Sequence, residues 1–519
     1  MRLHDYFDWH AREQPDAPFS FFAGKTLSYA QARARANQIA NALIAEGIKP
    51  GTRIAILAKN CAEYAVFYFG AAKAGAVPVP LNFRLAPPEW SYIVNDAGAE
   101  LLIARGGLVE AIDPIRGELK TVKRCLSFEA PARPGWDDYE AWVGRQPESA
   151  PEREIDPNDD VYQMYTSGTT GRPKGAVIQH RAVTANISQL SSIAPISAGE
   201  RYLIVAPMYH AAATIASFWI VQQGGALYIL EDFVPAEVVR AMSEEHLVGA
   251  TLVPAMIQAC LVAVPDVAQR RYDELRVMVY GASPIAVETL RRAIEVFGCD
   301  FAQGFGMTET TAVATILSTA DHQRALAGKP GLLLSCGRAI PGTSVRIVDE
   351  NDREVPRGTI GEVLVRGPQL MRGYWNLPEA SAEALRGGWM HTGDAATMDD
   401  EGFVYIQDRV KDMIVSGGEN VYPREVEDVL FQHPAVADAA VIGVPDAQWG
   451  EAVKAVVVLR AGKTATETEL VDHCRAKLAG YKRPRSVDFI AELPRNPSGK
   501  VLKRELREPY WKGHTRRVG

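Results

Sequence analysis

Cysteine and long apolar stretches are both scarce in this sequence of 519 residues. The six cysteines lie far apart and include no Cys-x-x-Cys pair, which argues against a zinc site or a disulfide framework and favours reduced thiols. No run of about 18 uncharged apolar residues occurs, and the charged N-terminus has no apolar signal-peptide core. We therefore expect a cytoplasmic protein without a transmembrane segment, and contact with a membrane surface stays open.

An excess of positive charge is absent as well. The sequence has 56 Lys and Arg against 63 Asp and Glu, a formal net charge of −7, which is the wrong sign for a nucleic-acid-binding protein. Hydrophobic residues make up 47% and charged residues 23%, as in globular proteins, and the length is that of more than one domain. Nucleic-acid binding is therefore disfavoured, and the protein is expected to be a monomer or a homodimer.

The order of apolar runs and helical segments predicts an α/β fold. Residues 28–47 predict a helix that begins with a Ser-x-x-Gln capping box and ends at glycine. Short apolar runs at 53–59, 202–207 and 275–281, with helical segments between them, predict mostly parallel sheets with helices on both faces. These elements make up a large N-terminal domain.

The pattern of apolar and polar residues changes in the last third of the sequence. Alternating apolar residues after residue 341 predict a small antiparallel β unit, and an amphipathic helix is predicted over residues 464–479. We place the domain boundary after residue 407. Residues 1–407 then form the N-terminal domain with its small β unit, and residues 408–519 form a small, mobile α+β C-terminal domain.

The most informative segment is a loop rich in glycine and hydroxyl groups. Residues 166–171 read TSGTTG after a β-prone run, and Lys174 follows Arg172 and Pro173. Glycine N–H groups, hydroxyl donors and a lysine suit a polyphosphate. The loop is not a Walker motif, which needs lysine directly after the second glycine, and no Gly-x-Ser-x-Gly elbow surrounds Ser167. Read alone, the loop is also explained as a flexible connection.

Four further motifs bring small or polar side chains to the ends of predicted elements. Residues 280–284 end a strand in small side chains that suit a flat ring, and residues 302–310 lack the third glycine of a Rossmann fingerprint. Glu309 offers hard oxygen ligands to Mg²⁺, Asp394 suits ribose hydroxyls, and Lys500 adds a cation. Taken singly, each is explained at least as well by a turn, a helix cap or a surface lysine.

Together, the motifs resemble the adenylate-forming superfamily of acyl-CoA synthetases, peptide-synthetase adenylation domains and beetle luciferases. Their order and spacing are similar to those of the family over most of the chain. Phe305 departs from the pattern, because many members have tyrosine there. The segments that carry the resemblance are residues 165–177, 207–210, 280–284, 303–310, 373–381, 388–394, 402–427 and 494–506.

The resemblance implies a ligase that works in two steps. A carboxylic acid reacts with Mg·ATP to give an acyl-adenylate and pyrophosphate, and the thiol of coenzyme A then displaces AMP. The acid is expected to be a medium- or long-chain fatty acid or an aryl acid such as a hydroxycinnamate. Two alternatives stay open: an adenylating oxygenase of the luciferase type, and a protein that binds or hydrolyses ATP without ligation.

The resemblance also implies roles for individual residues. The catalytic residues are Lys174, Thr308, Glu309, which also binds Mg²⁺, and Lys500. Asp408 is the hinge, so that Lys500 serves the first step and residues 416–419 the second. The acid pocket is lined by His210, Ala211, Ala213, Gly304 and Gly306. The nucleotide contacts Thr166, Ser167, Gly168, Thr169, Thr170, Gly171, Gly281, Ala282, Ser283, Gln303, Gly304, Phe305, Gly306, Asp394, Ile406, Arg409, Gly417 and Gly418.

Overall fold

The computed structural model describes most of the chain. The described residues are 1–166, 172–283, 285–409, 412–416, 419–446, 448–475, 477–495 and 501–512. Their mixed α/β architecture confirms the fold class predicted from the sequence. The chain forms two compact units: residues 1–344 with 365–390 make the first, and residues 345–364 with 391–519 make the second.

Helices and strands alternate along most of the described sequence. The helices are α1 Leu3–Glu13, α2 Tyr29–Ala45, α3 Ala62–Ala74, α4 Pro87–Ala97, α5 Leu108–Ile112, α6 Tyr139–Gly144, α7 His180–Ile193, α8 Ala211–Gln222, α9 Pro235–Glu244, α10 Pro254–Ala263, α11 Val287–Phe297, α12 Thr319–Leu326, α13 Pro378–Ala384, α14 Pro423–Phe431, α15 Glu467–Arg475 and α16 Lys503–Trp511. The strands are β1 Pro18–Phe22, β2 Lys25–Ser28, β3 Arg53–Leu57, β4 Val77–Pro80, β5 Leu101–Arg105, β6 Arg124–Phe128, β7 Asp137–Asp138, β8 Asp160–Thr166, β9 Lys174–Gln179, β10 Arg201–Ile204, β11 Ala226–Ile229, β12 Leu247–Leu252, β13 Val277–Gly281, β14 Asp300–Phe305, β15 Thr315–Leu317, β16 Arg338–Ala339, β17 Ser344–Val348, β18 Gly361–Arg366, β19 Gly373–Tyr374, β20 Met390–Met398, β21 Val404–Arg409, β22 Ile414–Ser416, β23 Glu419–Val421, β24 Val436–Asp446, β25 Gly450–Leu459 and β26 Ser486–Phe489.

The largest sheet of the first unit has nine strands in the order β16-β15-β14-β13-β12-β10-β11-β1-β2. The six strands from β14 to β1 pair in parallel, whereas β15, β16 and β2 pair antiparallel at the two edges. A second sheet, β4-β3-β5-β6-β7, is parallel throughout. A small antiparallel sheet, β19-β9-β8, completes the unit. The prediction of mostly parallel sheets is confirmed.

Signals in the local sequence account for the ends of α2 and α3. The side chain of Ser28 accepts a hydrogen bond from the backbone N–H of Gln31, and Oε1 of Gln31 accepts one from the N–H of Ser28. This is the predicted capping box, which satisfies two N–H groups that the first helical turn leaves free. After α2, Gly47 adopts φ 84°, and α3 ends at Gly75 with φ 72°. Both glycines take the left-handed conformation that commonly ends a helix.

The most apolar helices are buried. Helix α3 buries every residue from Tyr64 to Ala74, and the rings of Tyr64 and Tyr68 stack with their centroids 5.6 Å apart. Helix α8 buries Phe218 and Trp219 in the same way. A helix that is apolar on all sides needs such a covered position in a folded protein. Within the described ranges, no helix has both the length and the apolarity needed to cross a bilayer.

The second unit contains two further sheets. One has the order β17-β18-β20-β21, and the other has the order β23-β22-β25-β24 with β26 beside β25. Strands β24 and β25 form a long antiparallel pair, and the helix predicted over residues 464–479 is present as α15. By its contacts, most of the first of these sheets groups with the C-terminal residues. The boundary predicted after residue 407 stays a prediction.

Two buried imidazoles join α1 to α7. The rings of His4 and His180 lie edge to face with centroids 6.0 Å apart, and Nδ1 of His180 accepts a hydrogen bond from the N–H of Leu3 at 3.1 Å. Nδ1 of His4 and Nε2 of His180 have no hydrogen-bond partner within the described part of the chain. Burial lowers the pKa of His180 to about 4 and the pKa of His4 to about 3. Both rings are therefore neutral in the folded protein at neutral pH.

Acid should destabilise the first unit through these rings. In the unfolded chain the imidazoles take up protons near their ordinary pKa of about 6.5, so the unfolded state binds more protons than the folded state below that pH. The contribution of the two neutral rings to the free energy of unfolding is fully present above pH 6.5 and is lost as the pH is lowered toward 4. In acid, the free energy of unfolding of His180→Gln should fall by about 1–3 kcal/mol less than that of the wild type, since one pKa unit corresponds to about 1.4 kcal/mol.

The measurement is the melting temperature between about pH 7 and pH 4.5. His246→Asn is the matched control, because the His246 side chain is 68% exposed and Asn tolerates its positive φ. The control should keep the wild-type loss of stability in acid. An equal loss in His180→Gln and in the wild type would contradict the prediction.

Candidate nucleotide-binding site

Two adjacent parallel strands bring seven of the residues predicted to bind nucleotide, 281–283 and 303–306, to the carboxyl-terminal edge of the nine-stranded sheet. Strands β13 and β14 pair so that Gly281 lies opposite Gly304. Residues 281–283 and 303–306 therefore lie side by side where the two strands end. In α/β proteins, ligands bind beyond the carboxyl ends of parallel strands. This edge is the candidate nucleotide site, and the nucleotide contacts of the individual residues stay predictions.

The backbone at this edge leaves no room for a side chain at Gly281 or Gly306. A Cβ on Gly281 would lie 2.2 Å from the carbonyl oxygen of Gly304, and one on Gly306 would lie 2.0 Å from that of Ala312. Ala282 has φ 65°, a left-handed conformation that costs an L-residue about 1–2 kcal/mol. Strain of this kind is concentrated at functional sites. The close approach and the strain both indicate an edge built for a ligand.

Gly281→Ala is expected to lower the free energy of unfolding by about 1–3 kcal/mol, because β13 and β14 must move apart to admit the methyl group. Gly304→Ala is the matched control, since its Cβ would meet only the Val313 side chain at 3.5 Å, an ordinary contact. Chemical denaturation of both variants measures the difference. Equal stability of the two would show that the strands are free to separate at this edge.

Gln303 brings an unused hydrogen-bond acceptor to the same edge. Its Oε1 is buried and accepts no hydrogen bond from any residue that the structure describes. A buried oxygen without a partner costs about 1–3 kcal/mol. A ligand with an N–H donor, such as the amino group of a purine, would recover that cost. This observation supports the predicted nucleotide contact of Gln303.

A short 3₁₀ helix, Thr308–Thr310, carries the residue predicted to bind Mg²⁺. The residue, Glu309, is only 4% exposed. Its Oε1 accepts a hydrogen bond from the hydroxyl of Tyr374 at 2.8 Å, and Oγ1 of Thr166 lies 3.5 Å from the same oxygen. Its carbonyl oxygen accepts one from the N–H of Met371 at 2.8 Å. The carboxylate is thus buried and held in one orientation.

Lys174 lies opposite Thr166, where strands β8 and β9 are paired. Strand β8 ends at Thr166, β9 begins at Lys174, and the two residues are cross-strand partners. Nζ of Lys174 lies 5.0 Å from the ring centroid of Tyr374. The structure therefore brings Thr166, Lys174 and Glu309 together around Tyr374, for which the sequence predicted no role. Its place in the motif at 373–381 is the one signal that pointed to it.

A buried polar network anchors the strands that carry the loop. Arg53 donates to Oδ2 of Asp160 at 2.9 Å, and its guanidinium carbon lies 3.5 Å from the ring centroid of Trp375. The hydroxyl of Tyr165 donates to Oδ2 of Asp96 at 2.6 Å. Burial lowers the pKa of Arg53, and burial together with Asp96 raises the pKa of Tyr165. These contacts between side chains hold the strands in place. Patterns in the sequence did not reveal them.

The side chains present fit a Mg²⁺ ion that is bound mainly through its nucleotide. In the described ranges, no three or more His, Cys, Asp or Glu side chains are grouped to hold a metal. One buried carboxylate, that of Glu309, is available together with the hydroxyl of Thr166. Mg²⁺ is commonly held by one or two carboxylates and the phosphates of its substrate. This donor set matches that pattern.

Three of the five residues predicted to line the acid pocket, His210, Ala211 and Ala213, lie at the start of α8. Nδ1 of His210 accepts a hydrogen bond from the N–H of Ala212 at 3.3 Å, so this ring caps the helix. Burial lowers the pKa of His210, which keeps the ring neutral. Ala211 and Ala213 are 3% and 1% exposed, and so offer little surface to a ligand in this conformation. Their role in an acid pocket stays a prediction.

The other predicted site residues lie in the second unit or outside the described residues. Asp394, on β20, is buried and lies opposite Arg409, while Ile406 and Asp408 lie on β21. The side chains of Asp408 and Arg409 are not described, so the ribose contacts and the hinge stay predictions. The predicted residues that fall outside the described ranges are Ser167, Gly168, Thr169, Thr170, Gly171, Gly417, Gly418 and Lys500.

Comparison with known proteins assigns most of the chain to one family of enzymes. Residues 7–375 match the AMP-binding enzyme family, and residues 425–500 match the AMP-binding enzyme C-terminal domain. The fatty acid–[acyl-carrier-protein] ligase ScoC of Streptomyces coeruleorubidus is 38% identical over 521 residues, which cover 98% of this chain and 96% of ScoC. A feruloyl-CoA synthase of an Amycolatopsis species is 38% identical over 503 residues, covering 96% and 97%. The crystal structure of ATP-bound MatB from Rhodopseudomonas palustris has a TM-score of 0.89 at 30% identity, covering 99% of this chain and 100% of MatB.

These matches confirm the resemblance read from the sequence motifs. The chain belongs to the AMP-binding enzyme family, within the adenylate-forming superfamily. It is an enzyme of the AMP-forming acid–thiol ligase class.

Proposed function

We propose that the protein activates a fatty or aryl carboxylic acid with Mg·ATP and transfers the acyl group to coenzyme A. One observation carries the proposal: Thr166, Lys174 and the buried carboxylate of Glu309 converge around Tyr374. A fixed cation and hydroxyl donors suit the phosphates of ATP, and a buried carboxylate suits its Mg²⁺. The orphaned acceptor of Gln303 supports a purine at the neighbouring strand edge.

In the proposed first step, an oxygen of the carboxylate bonds to the α-phosphorus. The bond from that phosphorus to the bridging oxygen breaks, and pyrophosphate leaves with the electron pair. Lys174 holds the β- and γ-phosphates, Thr308 lies near the α-phosphate, and Lys500 contacts the acid and the α-phosphate. The Mg²⁺ ion, when bound, neutralises negative charge on the phosphates. A donor fixed where charge develops lowers such a barrier by about 3 kcal/mol.

In the proposed second step, the sulfur of coenzyme A attacks the carbonyl carbon of the acyl-adenylate. The bond from that carbon to the AMP oxygen breaks, AMP leaves, and the thiol proton passes to solvent. We propose that the C-terminal domain turns about Asp408 between the steps, so that Lys500 withdraws and residues 416–419 approach. Rigid motion of this kind is absorbed at a few backbone dihedrals.

The names of two relatives bear on the acid and on the acceptor of the acyl group. ScoC is named for a fatty acid and an acyl-carrier protein, and the Amycolatopsis relative is named for feruloyl-CoA. A fatty chain and a substituted aryl ring are both large and mainly apolar. We therefore propose an acid with an apolar tail or ring rather than acetate, and coenzyme A rather than a carrier protein as the acceptor.

Pyrophosphate release with Mg·ATP tests the proposal. The acids are acetate, hexanoate, palmitate, benzoate and a hydroxycinnamate, each with and without coenzyme A, and one arm replaces coenzyme A with an acyl-carrier protein. We expect at least one of the four larger acids to give AMP, pyrophosphate and acyl-CoA in equal amounts, and acetate to give background only. Reactions without acid are the control.

Each of the alternative outcomes would indicate a different function for this protein. Formation of ADP and phosphate would indicate an ATP hydrolase, and light with oxygen uptake would indicate a luciferase-type oxygenase. A thioester formed only on the carrier protein would correct the acceptor. If no acid raises pyrophosphate release above background, acid activation is excluded for the whole tested class.

A further inference from the structure

Tyr374 contacts two residues of the candidate site at once. Its hydroxyl donates to Oε1 of Glu309 at 2.8 Å, and its ring centroid lies 5.0 Å from Nζ of Lys174. We propose that Tyr374 is a positioning residue, which orients the carboxylate that binds Mg²⁺ and the cation that binds phosphate. This inference rests on the proposed function, because it assigns those two roles to Glu309 and Lys174.

The backbone of Tyr374 is fixed on both sides. Strand β19 pairs with β9, which places Tyr374 opposite Ala176. The N–H of Tyr374 donates to Oγ of Ser381 at 2.8 Å, and the N–H of the next residue, Trp375, donates to the carbonyl oxygen of Gly175 at 2.7 Å. Because both neighbouring peptide groups are held, the ring leaves the backbone in a set direction. That direction brings its hydroxyl to Glu309.

The neighbouring residue ties the same strand to the buried network. Nε1 of Trp375 donates to the carbonyl oxygen of Asp96 at 3.1 Å, and its ring packs against the guanidinium of Arg53. Arg53 is itself bound to the buried Asp160. These contacts involve no ligand, so Tyr374 is placed before a nucleotide arrives. A site that is ordered in advance does not lose affinity to ordering on binding.

The geometry divides the two oxygens of Glu309 between two tasks. Oε1 accepts a hydrogen bond from the Tyr374 hydroxyl, whereas Oε2 accepts none from a described residue, and the proposal assigns Oε2 to Mg²⁺. Without the hydroxyl, the carboxylate loses its strongest orienting contact. Partners that orient a metal ligand typically change metal affinity by about 10–100-fold. The ring acts separately, because a lysine near an aromatic face is held by cation–π attraction.

Two variants separate these contributions. Tyr374→Phe keeps the ring and removes only the hydroxyl, so we expect the Mg²⁺ concentration for half-maximal ATP binding to rise about tenfold or more. ATP binding in the presence of EDTA should stay as in the wild type. Tyr374→Leu also removes the aromatic face and should weaken ATP binding in EDTA as well. Isothermal titration calorimetry across a Mg²⁺ series measures both quantities without turnover.

Tyr139→Phe is the matched control. The hydroxyl of Tyr139 donates to Oε1 of the partly buried Glu63 at 2.8 Å, the same pair of groups at the same distance, on helices that carry no predicted site residue. This control should keep the wild-type Mg²⁺ dependence even if its melting temperature falls.

The outcomes distinguish this inference from the proposed function. If the wild type binds no Mg·ATP, the proposed function fails. If the wild type binds Mg·ATP and Tyr374→Phe has the same Mg²⁺ half-saturation, the positioning role alone is overturned. A fall in melting temperature of Tyr374→Phe with unchanged Mg²⁺ dependence would likewise overturn it, since that result describes a structural tyrosine.

Discussion

Changing Lys500 to alanine should reduce adenylate formation by about 10²–10³-fold or more, the loss expected when one fixed donor to a charged transition state is removed. Negative charge develops on the α-phosphate while the acid attacks, so the lysine acts in this step. In the second step the bond to the α-phosphorus is already formed, and the bonds that change are those of the carbonyl carbon and the thiol sulfur. Thioester formation from a supplied acyl-adenylate and coenzyme A should therefore stay near the wild-type rate.

Two assays check this prediction: pyrophosphate release from the acid and Mg·ATP, and acyl-CoA formation from synthetic acyl-adenylate. Lys512→Ala is the matched control, because Lys512 is an exposed lysine close by in the sequence. The control should keep both rates. An equal loss of both half-reactions in Lys500→Ala would mean that the lysine supports the fold or both steps, and the proposed division of labour would be wrong.

Changing Glu309 to glutamine should lower pyrophosphate release by about 10²-fold or more, because the site loses the charge that holds Mg²⁺ at the phosphates. Glutamine has nearly the same shape, and its amide oxygen can still accept the hydrogen bond from Tyr374. The folded protein should not suffer, because replacing a buried charge with a neutral group of the same volume removes a desolvation cost. We expect an unchanged or higher melting temperature together with the loss of activity.

The decisive measurement for Glu309→Gln is pyrophosphate release across a Mg²⁺ titration, with thermal unfolding run on the same samples. Excess Mg²⁺ should not restore the wild-type rate. Glu379→Gln, which changes an exposed glutamate at the start of α13, should match the wild type in both assays. Full activity of Glu309→Gln would remove Glu309 from the metal site, and unfolding would show that its charge serves stability instead.

Local patterns in the sequence were sufficient to predict several helices, the mostly parallel sheets and the motifs that meet where β13 and β14 end. The capping box of Ser28 and Gln31 and the apolar run around β3 depend on nearby residues only, and both are present. The small residues at 281–283 were predicted to meet a flat ring, and the pairing of Gly281 with Gly304 places them beside residues 303–306, which the resemblance assigned to the nucleotide. In each case the signal lay within one element or in two strands that pair in parallel.

The residues that sequence patterns missed depend on contacts between distant segments. Tyr374 is 65 positions from Glu309 and sits on a strand of two residues, too short to show any alternation. The contact of Arg53 with Trp375 depends on the same strand and on β3. The segment around Asp394 was read as a polar motif, yet it lies in the nine-residue strand β20. Such positions follow from the register of pairing, which no local pattern contains.

The main chain passes between the two units three times, after residues 344, 364 and 390. A shortened gene that stops at residue 344 would therefore encode a protein without β19, and so without Tyr374 and Trp375. A minimal nucleotide-binding fragment has to extend to residue 390, with residues 345–364 either kept or replaced by a linker. For the same reason, splitting this enzyme into two co-expressed halves cannot be done with one cut between the units.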